Sequence, residues 1–197
     1  MIDKLSLLHK ATRNAYGAQV VDFRWEETPL EGEGTCSYPD GAQYSGIFKA
    51  GCFHGKGIFI WPDGSRYEGE WENDLPHGQG TMLLSNGYRY EGQWKNGAAE
   101  GEGSETLPIG GRYAGQWKNG TQNGRGEMVY ADGKKYTGDW KDGKSHGNGV
   151  FFFSDGSKYE GVWEENNMVG KGILTSSDGK KYRGEWKGGK FKILEAL

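Results

Sequence analysis

His54, His77 and His146 are spaced by multiples of 23 residues, a regularity that would suit a row of metal ligands or acid–base groups. One zinc ion holds its ligands at about 2.0–2.1 Å, whereas equivalent positions two strands apart in a sheet are separated by about 9.5 Å. The same phase carries Glu100, Asn123 and Val169, so the histidines read as turn residues and no metal site is assigned. Glu68, Glu70, Glu91, Asp139, Glu160 and Glu185 form a second repeated set. Glycoside hydrolysis needs two carboxyl groups in unlike environments across a cleft, and rows of equivalent carboxylates describe a solvated face instead. Gly-x-Gly pairs recur at Gly55/Gly57, Gly78/Gly80, Gly101/Gly103, Gly124/Gly126, Gly147/Gly149 and Gly170/Gly172. No helical pattern follows them, so they are not read as phosphate loops. Without a nucleophile–base pair, a metal set or a cofactor loop, neither an enzyme nor a cofactor is expected.

Two sets with binding chemistry remain. Lys118, Lys134, Lys135, Lys141, Lys180, Lys181 and Lys187 would draw the C-terminal half toward anionic lipid, at about 1 kcal/mol per lysine near a charged surface. Lysines at sheet margins equally prevent edge pairing. Tyr67, Trp71, Tyr90, Trp94, Tyr113, Trp117, Tyr136, Trp140, Tyr159 and Trp163 are the residue types that anchor protein interfaces. They are the expected partner-binding strip, once folding has taken its share of the rings.

The elements that position these residues follow from one period. The Tyr of a Tyr-x-Gly-x-Trp motif falls at Tyr44, Tyr67, Tyr90, Tyr113, Tyr136, Tyr159 and Tyr182, every interval being 23 residues. Such phase is the mark of a repeat array. In Tyr67-Glu68-Gly69-Glu70-Trp71 the aromatics and glycine alternate with charges, the period of a strand with one polar face. Gly55-Lys56-Gly57-Ile58-Phe59-Ile60-Trp61 alternates likewise and supplies a second strand. Each unit is therefore a β-hairpin, with Asp63-Gly64 and its equivalents expected as the tight turn and segments such as Lys141–His146 as the longer loop. A lone sheet has no second layer, so a ring lying flat over a cross-strand glycine is the expected packing. About 14 strands would form a twisted, open sheet.

Val21, Phe23 and Trp25 keep the register one unit upstream, so a degenerate unit begins near residue 21. Residues 2–16 carry apolar side chains at helical spacing, giving a cap or a partner-binding helix. Residues 191–197 have no evident strand to pair with and are expected to cover the open edge. In the third unit Ala98-Ala99-Glu100 fills the loop and Glu105-Thr106-Leu107-Pro108-Ile109-Gly110 replaces the usual strand end and Asp-Gly. That departure reads as a bend, a docking notch or a local relaxation.

With 36 Gly, 5 Pro and a net charge of −3 in 197 residues, the chain is neither collagen-like nor a solvated coil, because its glycines are periodic and its aromatics abundant. The acidic balance argues against nucleic acid. Charge is uneven: residues 1–111 hold nine basic and sixteen acidic side chains, residues 112–197 fifteen and eleven. Such an asymmetry would also allow head-to-tail association. Cys36 and Cys52 sit in different phases and imply no disulfide framework. No secretory signal, membrane-spanning stretch or lipidation motif is read, and a reducing cytoplasmic setting is the expectation.

Tyr67-Glu68-Gly69-Glu70-Trp71, followed by His77-Gly78-Gln79-Gly80 and Asn86-Gly87, closely resembles the MORN (membrane occupation and recognition nexus) repeat, over about residues 21–191. The resemblance implies an all-β, elongated, single-layer twisted antiparallel meander of 23-residue β-hairpins with a short N-terminal helix. The expected layout is a helix or cap over 1–20, the array over 21–190 with one degenerate unit and seven starting at Tyr44 through Tyr182, and a cap over 191–197. MORN proteins are common in cilia and flagella, radial spokes included, and in cortical cytoskeletons. The implied role is a non-enzymatic scaffold with protein partners, a homodimer and an anionic membrane surface being further partners to consider.

Overall fold

The computed structural model describes residues 30–197. The expected N-terminal helix and the strand from residue 21 lie outside the described residues. Fifteen strands follow in turn: β1 (Glu31–Ser37), β2 (Gln43–Lys49), β3 (Cys52–Ile60), β4 (Arg66–Glu72), β5 (Leu75–Leu83), β6 (Arg89–Lys95), β7 (Ala98–Thr106) and β8 (Gly111–Lys118). The rest are β9 (Thr121–Tyr130), β10 (Lys135–Lys141), β11 (Lys144–Phe152), β12 (Lys158–Glu164), β13 (Asn167–Thr175), β14 (Lys181–Lys187) and β15 (Lys190–Ala196). They pair in chain order in one sheet that runs from β1 to β15 without closing. The chain divides into two compact units, the first ending at Glu105 and including Lys118–Gly120, the second holding Thr106–Trp117 and Thr121–Leu197.

The two kinds of connection are the reverse of the sequence expectation. The tight two-residue turns follow the Tyr-x-Gly-x-Trp strand, at Ala50-Gly51, Asn73-Asp74, Asn96-Gly97, Asn119-Gly120, Asp142-Gly143, Glu165-Asn166 and Gly188-Gly189. Both residues of each have φ between 47° and 81°, the geometry that matches strand twist in a hairpin. Lys144, Ser145 and His146 consequently lie in β11 rather than in a loop. The Asp-Gly connection is longer: the Trp61 N–H donates to the Ser65 carbonyl at 2.9 Å and the Gly64 N–H to the Trp61 carbonyl at 3.0 Å. Asp63 holds the loop by accepting the Ser65 N–H at 2.9 Å, and Gly64 takes φ +82°. This is a three-residue loop with a left-handed glycine, not a two-residue turn.

Each Gly-x-Gly marks a bulge. Gly69 faces Gly80 but Glu70 faces His77, and in the second unit Gly138 faces Gly149 but Asp139 faces His146. The extra residues fit because the first glycine of the pair, Gly78 or Gly147, is left-handed at φ +57° or +58°. The bulge amide is then capped from the partner strand. Glu70 accepts the Gln79 N–H at 2.9 Å, Gln93 that of Glu102 at 2.8 Å, Gln116 that of Arg125 at 2.9 Å and Asp139 that of Asn148 at 2.8 Å.

The second glycine of each pair is a seat for an aromatic ring. A Cβ on Gly80 or Gly126 would overlap the ring of Tyr67 or Tyr113, which lies flat on the bare backbone as the sequence led us to expect. The Tyr67 hydroxyl donates to the Glu70 carbonyl at 2.9 Å, and Tyr113 repeats the bond to Gln116 at 2.9 Å. Trp71 donates from Nε1 to the Gly57 carbonyl of the preceding hairpin at 3.1 Å, and Trp140 to Gly126 at 3.2 Å. Trp71, Trp94 and Trp140 therefore each tie their hairpin to the one before.

The tail does not cover the edge. Phe191 pairs with Trp186 and Ala196 with Tyr182, so β15 is the second strand of the last hairpin. Phe191 places its ring against Gly184.

Candidate functional site

The ten rings expected as a partner-binding strip are the core. Tyr67, Tyr90, Tyr113, Tyr136 and Tyr159 are 0 % exposed, and Trp71, Trp94, Trp117, Trp140 and Trp163 are 2–5 % exposed. Tyr67 meets Trp71 at 4.9 Å and Trp94 at 5.2 Å, edge-on in both cases. In the second unit Tyr113 meets Trp140 at 5.1 Å, and Tyr136 meets Trp140 at 5.3 Å and Trp163 at 4.9 Å. Edge-to-face pairs of this kind add to the area they bury. They also explain how one layer of sheet keeps its rings dry, since each indole roofs a flat phenol. Burial raises the hydroxyls of Tyr44, Tyr67 and Tyr136 above the ordinary phenol range.

What this face offers to solvent is its rim. Tyr38, Trp61 and Leu84 in the first unit, and Leu107, Tyr130 and Phe153 in the second, stand one step beyond the buried strand positions and are partly exposed. Trp61 rests on Phe59 at 4.7 Å, and Phe153 on Phe151 at 4.9 Å. Sequence reasoning missed this row. Its signal was an apolar residue two places before most of the loop Asp or Asn residues, as in Trp61 before Asp63 and Tyr130 before Asp132.

The lysines fall on the opposite face or in its loops. Lys135 and Lys181 open β10 and β14, while Lys118, Lys141 and Lys187 close β8, β10 and β14. Lys134 and Lys180 sit in loops, each 2.7 Å from its own Asp132 or Asp178. Lys135 reaches Glu127 at 3.2 Å and covers the Phe152 ring at 4.8 Å. His54, His77 and His146 pair with Ile47, Glu70 and Asp139. Among the described residues no group of three or more His, Cys, Asp or Glu side chains is placed to hold a metal.

The divergent third repeat contains Glu105, 7 % exposed where Met82 and Met128 stand in neighbouring repeats. Its carboxylate accepts the Tyr88 hydroxyl at 2.9 Å. Burial, then the Glu105 charge, raises the Tyr88 phenol. The loop that follows keeps the common geometry, with the Gly110 N–H donating to the Leu107 carbonyl at 3.0 Å and the Leu107 N–H to Gly111 at 3.0 Å. The loop thus keeps its hydrogen bonds, while Gly111 takes φ +101° at a position where the other loops hold no left-handed residue.

A family model described as the MORN repeat matches residues 24–43, 44–66, 67–87, 90–112, 113–135, 136–158, 159–181 and 182–192. No curated protein matches the chain in sequence. Among solved structures, the SAS-4 (dCPAP) TCP domain of Drosophila melanogaster, in complex with a proline-rich motif of Ana2 (dSTIL), is similar at TM-score 0.50 and 16 % identity. That alignment covers 84 % of this chain and 91 % of that one. The G-box domain of the microcephaly protein CPAP aligns at TM-score 0.40 and 12 % identity, over 83 % of this chain and 99 % of that one.

Proposed function

Because the chain belongs to the MORN-repeat family, we propose that it is a non-enzymatic scaffold that takes extended segments of partner proteins on its aromatic face. The observation that carries this reading is the half-buried apolar rim set on a fixed aromatic core. Trp61 and Leu84, or Tyr130 and Phe153, present ring and side-chain surface beside Tyr and Trp residues that do not have to move. Such preorganisation lowers the ordering cost of binding. The Drosophila sheet of like fold, which holds a proline-rich motif, supports an extended peptide as the kind of ligand. By family analogy the setting is cytoplasmic and cytoskeletal, in a ciliary or flagellar axoneme with a radial-spoke-like role.

The buried Tyr67–Trp163 rings serve this site from beneath, so the informative variant is at the rim. Tyr130→Ala/Phe153→Ala should keep a native circular dichroism spectrum and lose the cytoskeletal proteins that the wild-type chain captures from a native lysate, read by mass spectrometry. An identical catch from both would sink the reading.

A second reading is a peripheral membrane tether. It is supported by the placement of Lys135, Lys141, Lys181 and Lys187 on the face opposite the rings. It expects salt-sensitive sedimentation with anionic vesicles, and failure to sediment at low salt would remove it.

A further inference from the structure

Ile109 is 88 % exposed, the most exposed large apolar side chain among the described residues. It occupies a position that Asp or Asn holds in the other loops, where the side chain caps the amide two residues on: Asp40 to Ala42, Asp63 to Ser65, Asn86 to Tyr88, Asp132 to Lys134 and Asp155 to Ser157. An isoleucine accepts no hydrogen bond, so this loop has given up a stabilising cap and gained an apolar tip. Pro108 precedes it, presetting the turn, and Ala131 of the next loop lies against Gly110. The tip is a firm apolar protrusion. A local rule broken without a local gain is where a function is expected.

The same unit contains an open cavity of about 640 Å³ between the last two hairpins, lined by Trp163, Met168, Val169, Trp186, Gly188 and Gly189. The ring ladder has loosened beside it. Tyr159 to Trp163 opens to 6.3 Å and Tyr159 to Trp186 to 5.8 Å. The buried Nε1 groups of Trp163 and Trp186 have no hydrogen-bond partner, whereas Trp71, Trp94 and Trp140 all donate to a glycine carbonyl. Glu164 and Glu165 also line the cavity, while Arg112 stands three residues after Ile109. Apolar tip and apolar cavity, basic flank and acidic lining, are complementary.

We propose that the Pro108-Ile109 tip of one copy enters the Trp163–Trp186 cavity of a second copy, so that the chain associates head to tail. The tip lies at the loop end of the strands and the cavity at the tight-turn end, near Glu165-Asn166 and Gly188-Gly189. Nine-residue strands are about 30 Å long, so a tip cannot reach its own cavity. The contact is heterologous: each copy offers both halves, and association continues until a ring closes or the chain of copies extends. A contact this small is a weak one.

Sedimentation equilibrium of the full chain from about 10 μM to about 1 mM spans the affinities of weak contacts. The wild-type mass is expected to rise above the 21.8 kDa monomer with concentration. Ile109→Asp installs the residue found at Asp63 and Asp132, and Val169→Glu the residue found at Glu100, so both variants should fold. Each is expected to stay monomeric, and neither to melt below the wild type. Their equimolar mixture should give twice the monomer mass and no more, because it retains one intact tip and one intact cavity per pair. A wild-type chain monomeric throughout, either variant associating as the wild type does, or a mixture that stays monomeric would overturn the proposal.

Discussion

A tyrosine that lies flat on two glycines is useful to the fold only while its hydroxyl is neutral. Tyr67 is held by the Glu70 carbonyl and its pKa is raised, first by burial and then by the Glu70 charge; Tyr44 and Tyr136 are raised chiefly by burial. Their folded pKa lies above the unfolded value of about 10, so their contribution to stability is complete below that pH. It is lost as pH rises further, because the unfolded chain ionises first and sheds its protons. Urea midpoints should therefore be flat to about pH 9.5 and fall steeply above about pH 10, with phenolate absorbance appearing together with loss of β-sheet dichroism. Tyr67→Phe should cost about 1 kcal/mol at neutral pH for the lost hydrogen bond and make the alkaline fall shallower. A wild-type chain whose phenols ionise while the fold persists would show that burial does not control them.

At the scale of the hairpin, the residue between Gly and Trp is the one that locks the bulge. Gln116→Ala removes the acceptor of the Arg125 N–H and should lower stability by about 0.5–1.5 kcal/mol. Val162 occupies the same position and leaves the Lys171 amide without such a side-chain acceptor, so Val162→Gln should raise the melting temperature. Equal melts for Gln116→Ala and wild type would remove the bulge cap from the account. The hairpins themselves were legible in the sequence, because Tyr-x-Gly-x-Trp and Gly-x-Gly alternate with charges and keep one period. Which connection is tight was not. Asp63-Gly64 and Asn119-Gly120 are both turn pairs of the same chemistry, and a period carries no information about which end of a strand holds two residues and which holds three. The bulge was hidden for a related reason: Gly78 and Gly80 look alike in sequence, yet one is needed for its backbone conformation and the other for its missing Cβ. The burial of the expected strip was not legible, because alternation identifies a shared face without saying whether the rings on it cover one another, as Trp94 covers Tyr67.

At the largest scale, within each compact unit, cohesion passes from one repeat to the next through a small set of bonds. The Nε1 of Trp71, Trp94 and Trp140 reaches back 14 residues, as Trp140 does to Gly126, and the tight turns from Ala50-Gly51 to Glu165-Asn166 donate to the preceding hairpin, as Gly143 does to the Gln122 carbonyl at 2.9 Å. Both bonds depend only on the 23-residue phase. Deleting residues 136–158 removes a whole repeat and brings Tyr159 and Trp163 into the places of Tyr136 and Trp140, with Gly126 facing the new indole. The shortened chain should fold, with sheet dichroism retained and a smaller urea m-value in proportion to the surface it no longer buries. Stability should also fall, because repeat arrays sum unit and neighbour-interface terms. Deleting 22 residues of the same stretch instead would shift every later side chain to the other face of its strand, since strand side chains alternate with period two. That variant should lose its last hairpins entirely. If the 22- and 23-residue deletions melt alike, stability does not reside in the phase of the array, and the Trp-to-glycine bonds are not what joins one repeat to the next.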